Sequence, residues 1–284
     1  MGEDDFCSGL WIILPKFPSY TYFARRGESF TMKQIPNILT LGNLCCGALA
    51  IIFILNAPQY IATFNNNEYS IINPEPVYWA SALVVLAGVF DFFDGLAARL
   101  LRVQSPMGKE LDSLADVVSF GLVPGMMLYR LLRSAYMELP DVFDVSNINL
   151  LPALLVPCCS AYRLAKFNID TRQSEHFMGV PTPAVGLLVA SFPLIMLYNP
   201  FNLAHFLQNI WILYGIIAVL CYLMVADIPM MSLKFKGLKD KGNIPRLVLI
   251  VLTAAAIPLL GFASVPFAFV LYVVLSLVVK PRSA

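Results

Sequence analysis

The chain is divided into apolar runs too long and too numerous for a water-soluble fold to hide. Eight of them, near residues 36–57, 77–101, 110–133, 149–166, 182–199, 208–226, 246–262 and 264–279, approach or reach the length of a membrane crossing. A crossing helix needs about 20 mostly apolar residues, and fewer where neighbouring helices shield its ends. Of the 284 residues 58% are hydrophobic and 13% charged, and the mean hydropathy is +0.73. Soluble domains are nearer 45–50% apolar and about 25% charged. The expected fold is therefore all-α: a polytopic membrane helix bundle of about eight transmembrane helices. The last two runs are separated only by "GFASVPF". As one helix they would extend about 50 Å, too long for one crossing. Pro258 and Pro266 favour a break, so a tight hairpin is expected there.

Lysine and arginine positions predict the orientation. The segments "APQYIATFNNNEYSIINPEP" and "NPFNLAHFLQ" have neither residue, and "MELPDVFDVSN" is acidic. Arg25, Arg26 and Lys33 precede the first run, and Arg102 and Lys109 lie between the second and third. Arg163, Lys166 and Arg172 follow the fourth. Lys234, Lys236, Lys239, Lys241 and Arg246 surround the sixth-to-seventh connection, and Lys280 and Arg282 close the chain. With eight crossings all of these fall on one side, and both termini are expected to be cytoplasmic. Arg130 and Arg133 are the exceptions, expected to snorkel outward or pair with Glu138, Asp141 or Asp144. The net charge of +1 comes from segregated charges, and no nucleic-acid partner is expected. The cysteines have no CxxC spacing and read as small hydrophobes in helices.

Residues 1–31 do not read as a secretory signal, because their first charges are acidic and "LWIILP" is too short. Phe6 also departs from the myristoylation pattern that Gly2 would begin. Met32 could serve as a start. The expected division is an extension over 1–31 and a membrane domain over 32–284.

The stretch "DFFDGLAARLLRVQSPMGKELDSLAD", from residue 91, places four carboxylates where a buried charge costs most. At about 100° per residue, Asp94 lies about 60° back from Asp91, Gly95 about 40° forward and Ala98 about 20° back. These four share one helix face. Gly108, Asp112 and Asp116, spaced by four, form a second stripe. Ser105-Pro106 suits a helix N-cap followed by Pro at the first helical position. The short connection then makes the two helices antiparallel neighbours, with both acidic faces towards one cleft. Four carboxylates so placed need compensation, and a divalent cation such as Mg²⁺ or Mn²⁺ supplies it while leaving positions open for substrate phosphates. Plainer readings remain: solvated aspartates, ion pairs with Arg99, Arg102 or Lys109, or an ion pathway in a cation transporter. None of them explains the small residues in register with the acids.

The pattern Asp91-x2-Asp94-Gly95-x2-Ala98-Arg99-x8-Gly108-x3-Asp112-x3-Asp116 resembles the signature of the CDP-alcohol phosphatidyltransferase family at every fixed position. The resemblance implies transfer of a substituted phosphate from a CDP-linked donor to an alcohol, with release of CMP. It implies that Asp91, Asp94, Asp112 and Asp116 hold the metal, two divalent ions per site, and that Asp116 is also the base. It places Gly95, Ala98, Arg99, Ser105 and Gly108 at the CDP-lipid; for Ser105 helix capping is a second role. It further implies a homodimer, residence in the cell's inner or plasma membrane, and a site facing the cytoplasm.

Two further stretches, "IPNILTLGNLCCGALA" and "AYRLAKFNIDTRQSEHFMGVPTPA", resemble the integral-membrane phosphatidylserine synthases of that family, which use CDP-diacylglycerol and L-serine. Lys166 stands where arginine is common, and Val180 where leucine is. Arg163, Lys166 and Asn168 are the candidates for binding serine or a donor phosphate; for the two cations, membrane anchoring is the plain alternative. Asn37, Thr40 and Asn43 either cap the first helix or contact the nucleotide. Gly121 and Gly125 suit helix packing. The rival within the family is another acceptor, glycerol phosphate or inositol.

Overall fold

The protein is described by a computed structural model over residues 34–57, 59–64, 67–72, 75–103, 105–139, 145–169, 177–198, 200–231 and 243–278. The extension 1–31, Lys33, Asp141, Asp144, Arg172, the lysines at 234, 236, 239 and 241, Lys280 and Arg282 lie outside these residues. The fold is all-α. Helix α1 spans Ile35–Leu55, α2 Glu75–Leu100 and α3 Pro106–Asp116. A π-helical segment, Val117–Leu122, joins α3 to α4, Val123–Met137. After α5, Asn147–Leu150, and a 3₁₀ turn comes α6, Leu155–Ile169. Then follow α7, Thr182–Tyr198, α8, Ala204–Leu207, α9, Ile210–Val225, α10, Ile244–Leu260, and α11, Ser264–Val278.

Among the described residues, five helical stretches are long and apolar enough to cross a membrane: Ile35–Leu55, Glu75–Leu100, Pro106–Met137, Asn147–Ile169 and Ile244–Val278. Helices α7 and α9 are apolar but shorter. The last stretch is interrupted over Gly261–Ala263, where Gly261 takes a φ of 55°, and α10 and α11 pack against each other. Many large side chains on these helices face outward, among them Leu49, Phe53, Trp79, Leu86, Leu247 and Val251. This is the surface of an integral membrane protein.

Lipid tails are as apolar as leucine, so close fit of small residues has to hold such helices together. The fit converges on the π segment, against which α1, α6 and α7 all pack. A Cβ on Gly47 of α1 would come within 2.5 Å of Ser119 Oγ, and one on Gly186 of α7 within 2.8 Å of the Phe120 ring. Gly121 and Gly125 do serve packing: a Cβ at either would meet Ser160 or Pro157 of α6 at 2.7 Å. Phe120, Met127, Leu128 and Leu132 are fully buried in the resulting core. Sequence periodicity gave no sign of the widened turn, which begins one residue after Asp116. Such turns are rare and are frequently found at functional sites.

Polar contacts collect at two opposite ends of the bundle. At one, Arg130 donates to the Ala57 carbonyl at 2.7 Å, Gln208 to Glu138 at 2.8 Å, and Tyr214 to the Asn149 carbonyl at 2.6 Å. Arg130 thus closes the end of α1, while Asp141 and Asp144, two of the acids considered for it, lie outside the described residues. At the other end Asn168 donates to Ser113, Lys166 pairs with Asp227, and the Met231 amide donates to Ser276. Two antiparallel ladders were also unforeseen. One pairs Gln59–Phe64 (β1) with Asn67–Ile72 (β2), inside the Lys- and Arg-free segment after α1. The other pairs Phe177–Met178 (β3) with Pro229–Met230 (β4).

Candidate active site

Three helices build the acidic site. The C-terminal part of α2 carries Asp91 and Asp94, and α3 carries Asp112 and Asp116. Helix α1 packs along α2 and also against α3. Ser105 caps α3 as its sequence suggested, its Oγ accepting from the Gly108 amide at 3.0 Å, with Pro106 at the first helical position. This cap fixes where α3 starts and so the angular position of both its aspartates.

Asp91, Asp112 and Asp116 each present a carboxylate oxygen, and the three oxygens lie within 4.8 Å of one another. Asp112 Oδ1 is buried with no hydrogen-bond partner among the described residues. Asp94 stands outside this trio. It is buried, and its Oδ2 accepts from Thr40 Oγ1 at 2.6 Å. Asp116, also buried, accepts from Asn43 Nδ2 at 3.3 Å through its Oδ1. Thr40 and Asn43 thus present α1 polar groups to the acids of the other two helices. Neither caps α1, whose N-cap position is Gln34.

Beside the acids opens a cavity of about 390 Å³. Its walls include Asn37, Thr40, Asp94, Gly95, Ala98, Ser105, Gly108, Lys109 and Asp112. The small motif residues therefore form its surface. A Cβ on Gly108 would sit 3.1 Å from Ser105 Oγ and 3.2 Å from Asn37 Oδ1, whereas one on Gly95 would meet nothing nearer than Arg99 at 3.6 Å. Two of the candidates for the CDP-lipid stand off the cavity. Arg99 is exposed and its Nε donates to the Gly95 carbonyl at 2.8 Å, while Asn43 is wholly buried behind Asp116. From the sequence Lys109 reads as a positive charge between two crossings and as an ion-pair partner for the aspartates. It lines the cavity, and its Nζ donates to the Asn168 carbonyl at 3.3 Å. Its place, next to Gly108 and one turn before Asp112, was the available signal.

Arg163 of α6 is 7% exposed. Its guanidinium donates to Thr182 Oγ1 at 3.4 Å and is acted on by Asp116 and Tyr272. Lys166, one turn on, forms an ion pair with Asp227. Asn168 turns to α3, its Nδ2 donating to Ser113 Oγ at 2.9 Å. Arg163 is thus the buried member of the basic group and within electrostatic reach of Asp116. Asp227, Thr182 and Tyr272 were not singled out from the sequence, because no local spacing connects them to the motif.

An acidic centre with its own cavity, set at one end of a helical membrane bundle, defines a membrane-embedded enzyme site. The model of the CDP-alcohol phosphatidyltransferase family matches residues 33–226, and the chain belongs to this family. The family is generally dependent on divalent cations. A CDP-diacylglycerol–serine O-phosphatidyltransferase of Bacillus subtilis (strain 168) is 37% identical over 176 residues, covering 61% of this chain and 81% of the relative. The enzyme of the same name from Helicobacter pylori (strain J99) is 30% identical over 221 residues, 76% of this chain and 78% of the relative. An archaetidylserine synthase of Methanothermobacter thermautotrophicus is 28% identical over 181 residues, 63% and 66%.

Proposed function

We propose that the protein transfers the phosphatidyl group of CDP-diacylglycerol to the hydroxyl of L-serine, giving phosphatidylserine and CMP. The names of its relatives support the two substrates. The observation that carries the chemistry is the meeting of Asp91, Asp112 and Asp116 within 4.8 Å beside a cavity walled by Gly95, Ala98 and Gly108.

The donor set fits a hard divalent cation. It is made of carboxylate oxygens alone, and one of them, Asp112 Oδ1, is buried without a partner among the described residues. Asp91, Asp94, Asp112 and Asp116 would hold Mg²⁺ or Mn²⁺, two ions per site. When bound, the ions supply charge neutralisation to the diphosphate and to the departing CMP phosphate. The protein's own groups do the rest. Gly95, Ala98 and Gly108 leave room for the cytidine diphosphate against the backbone, with Ser105, Lys109 and Asn37 as polar contacts. The Asn43 amide engages Asp116 Oδ1, which leaves Oδ2 to take the proton of the acceptor hydroxyl. The hydroxyl oxygen bonds to the lipid-bearing phosphorus as the bond from that phosphorus to the CMP oxygen breaks. Arg163 offers a planar cation to the serine carboxylate or to a donor phosphate.

The alternation of helix ends between the two polar ends of the bundle supports eight crossings, with α7 to α11 making four of them. Arg99, Arg102, Lys109, Arg163, Lys166 and Arg246 then share the side of the site, which by the distribution of positive charge is cytoplasmic. Both termini of the membrane domain 32–284 fall on that side, in the cell's plasma membrane, and the working form is a homodimer.

Release of CMP by the purified protein tests this reading. With CDP-diacylglycerol and Mg²⁺ or Mn²⁺, release should require serine, stop on chelation and return with the metal. Release dependent on glycerol phosphate or inositol would overturn serine as acceptor. Cation flux with no CMP from any acceptor would replace the enzyme with a transporter.

A further inference from the structure

The Lys166–Asp227 pair lies beside Arg163 in a narrow cleft also lined by Tyr162, Met178 and Met224. An ion pair in this position does little for stability, since Asp227 is 71% exposed and exposed pairs contribute about 0–1 kcal/mol. Yet the segment bearing Asp227 is held from two directions. The Gly179 amide donates to the Ile228 carbonyl at 2.9 Å and β3 pairs with β4, where Phe177 faces Met230. From α11, Ser276 accepts from the Met231 amide and Tyr272 donates to the Met231 carbonyl, both at 3.1 Å. Gly179 permits this approach, with a φ of 73° and the Met224 carbonyl 2.6 Å from where a Cβ would sit. An exposed carboxylate is thus fixed beside two cations of α6, the helix whose Asn168 bonds to Ser113, the neighbour of Asp112 on α3.

Within the proposed function, on which this inference rests, the acceptor is an α-amino acid. Glycerol phosphate and inositol carry no ammonium group; serine carries one next to its carboxylate. A site that selects serine needs an anion for the first group and a cation for the second, a few ångströms apart. We infer that Asp227 is the acceptor-specificity residue: its carboxylate receives the ammonium group of the amino acid while Lys166 and Arg163 receive the carboxylate. The zwitterion replaces each partner of the resting ion pair with one of its own charges, so no charge is left uncompensated. Because α6 bonds through Asn168 to Ser113 beside Asp112, an amino acid held there is at the end of the bundle that carries the acids.

The test compares serine with 3-hydroxypropionate, which has the same carboxylate and hydroxyl and no amine, in the full-length wild type and in Asp227→Ala and Asp227→Glu. A charge-assisted contact of this kind corresponds to roughly 10- to 100-fold in affinity. The KM for serine should rise by that factor in Asp227→Ala and recover in part in Asp227→Glu. The KM for CDP-diacylglycerol, kcat, and turnover of 3-hydroxypropionate should not fall. An unchanged KM for serine would overturn the inference, as would an equal loss with both acceptors, which marks a structural role. A wild type inactive with serine would instead overturn the proposed function, and that arm is read first.

Discussion

Replacing Asn43 with alanine isolates the contribution of α1 to the acidic site. Its side chain has no exposed surface, and its Nδ2 reaches Asp116 Oδ1 at 3.3 Å. A hydrogen bond to a charged group contributes about 1.5–3 kcal/mol. At 3.3 Å it is long for an N–H···O bond, so the lower end applies, about 1.5 kcal/mol, or roughly tenfold in rate if lost only in the transition state. The contact orients the proposed base and touches neither substrate, so the loss should appear in kcat with both KM values unchanged. Ser119→Ala is the control. It removes the 3.0 Å bond from Ser119 Oγ to the Asn43 carbonyl, at the same junction of α1 with the π segment, without touching Asp116. Initial rates of CMP release at saturating substrates, with thermal unfolding of each variant in detergent, separate the two effects. Ser119→Ala should lower stability by about 1 kcal/mol and leave kcat in place. A folded Asn43→Ala protein with wild-type kcat would refute the positioning role. An equal drop in Ser119→Ala would assign the effect to packing.

Gly95→Ala should fold normally, because the added methyl would meet nothing nearer than Arg99 at 3.6 Å. It narrows the proposed nucleotide cavity, so the KM for CDP-diacylglycerol should rise while that for serine holds; equal changes in both would place the donor elsewhere. Asp116→Asn should abolish turnover and leave binding of the CDP-lipid measurable by isothermal titration in detergent. Near-normal turnover in that variant would remove Asp116 from the role of base.

The two acidic stripes were legible because each lies within a single helix. Spacing alone determines that Asp112 and Asp116 share a face with Gly108, and the Ser105 cap shows where that helix begins. Asn37, Thr40 and Asn43 were visible as polar groups in an apolar run, but not the bonds of Thr40 and Asn43 to the acids of other helices. Lys166 was visible as a cation; its partner Asp227, 61 positions away, was not. The π segment was hidden as well, since "VVSFGL" differs little in composition from an ordinary apolar helix.

By itself the sequence determined the all-α membrane character, the position of each apolar run and the motif of four aspartates. These are local properties, set by hydropathy and by the constant turn of an α-helix. Only the tertiary structure decided that three of the four aspartates meet, that Asp94 turns to Thr40, and that Arg163 and Asp227 lie on the same side of the bundle as the site. Those outcomes depend on which helices approach one another. In a membrane, where apolar faces do not choose partners by hydrophobicity, that choice falls to small residues fitting against distant ones, as Gly47 does against Ser119 and Gly186 against Phe120.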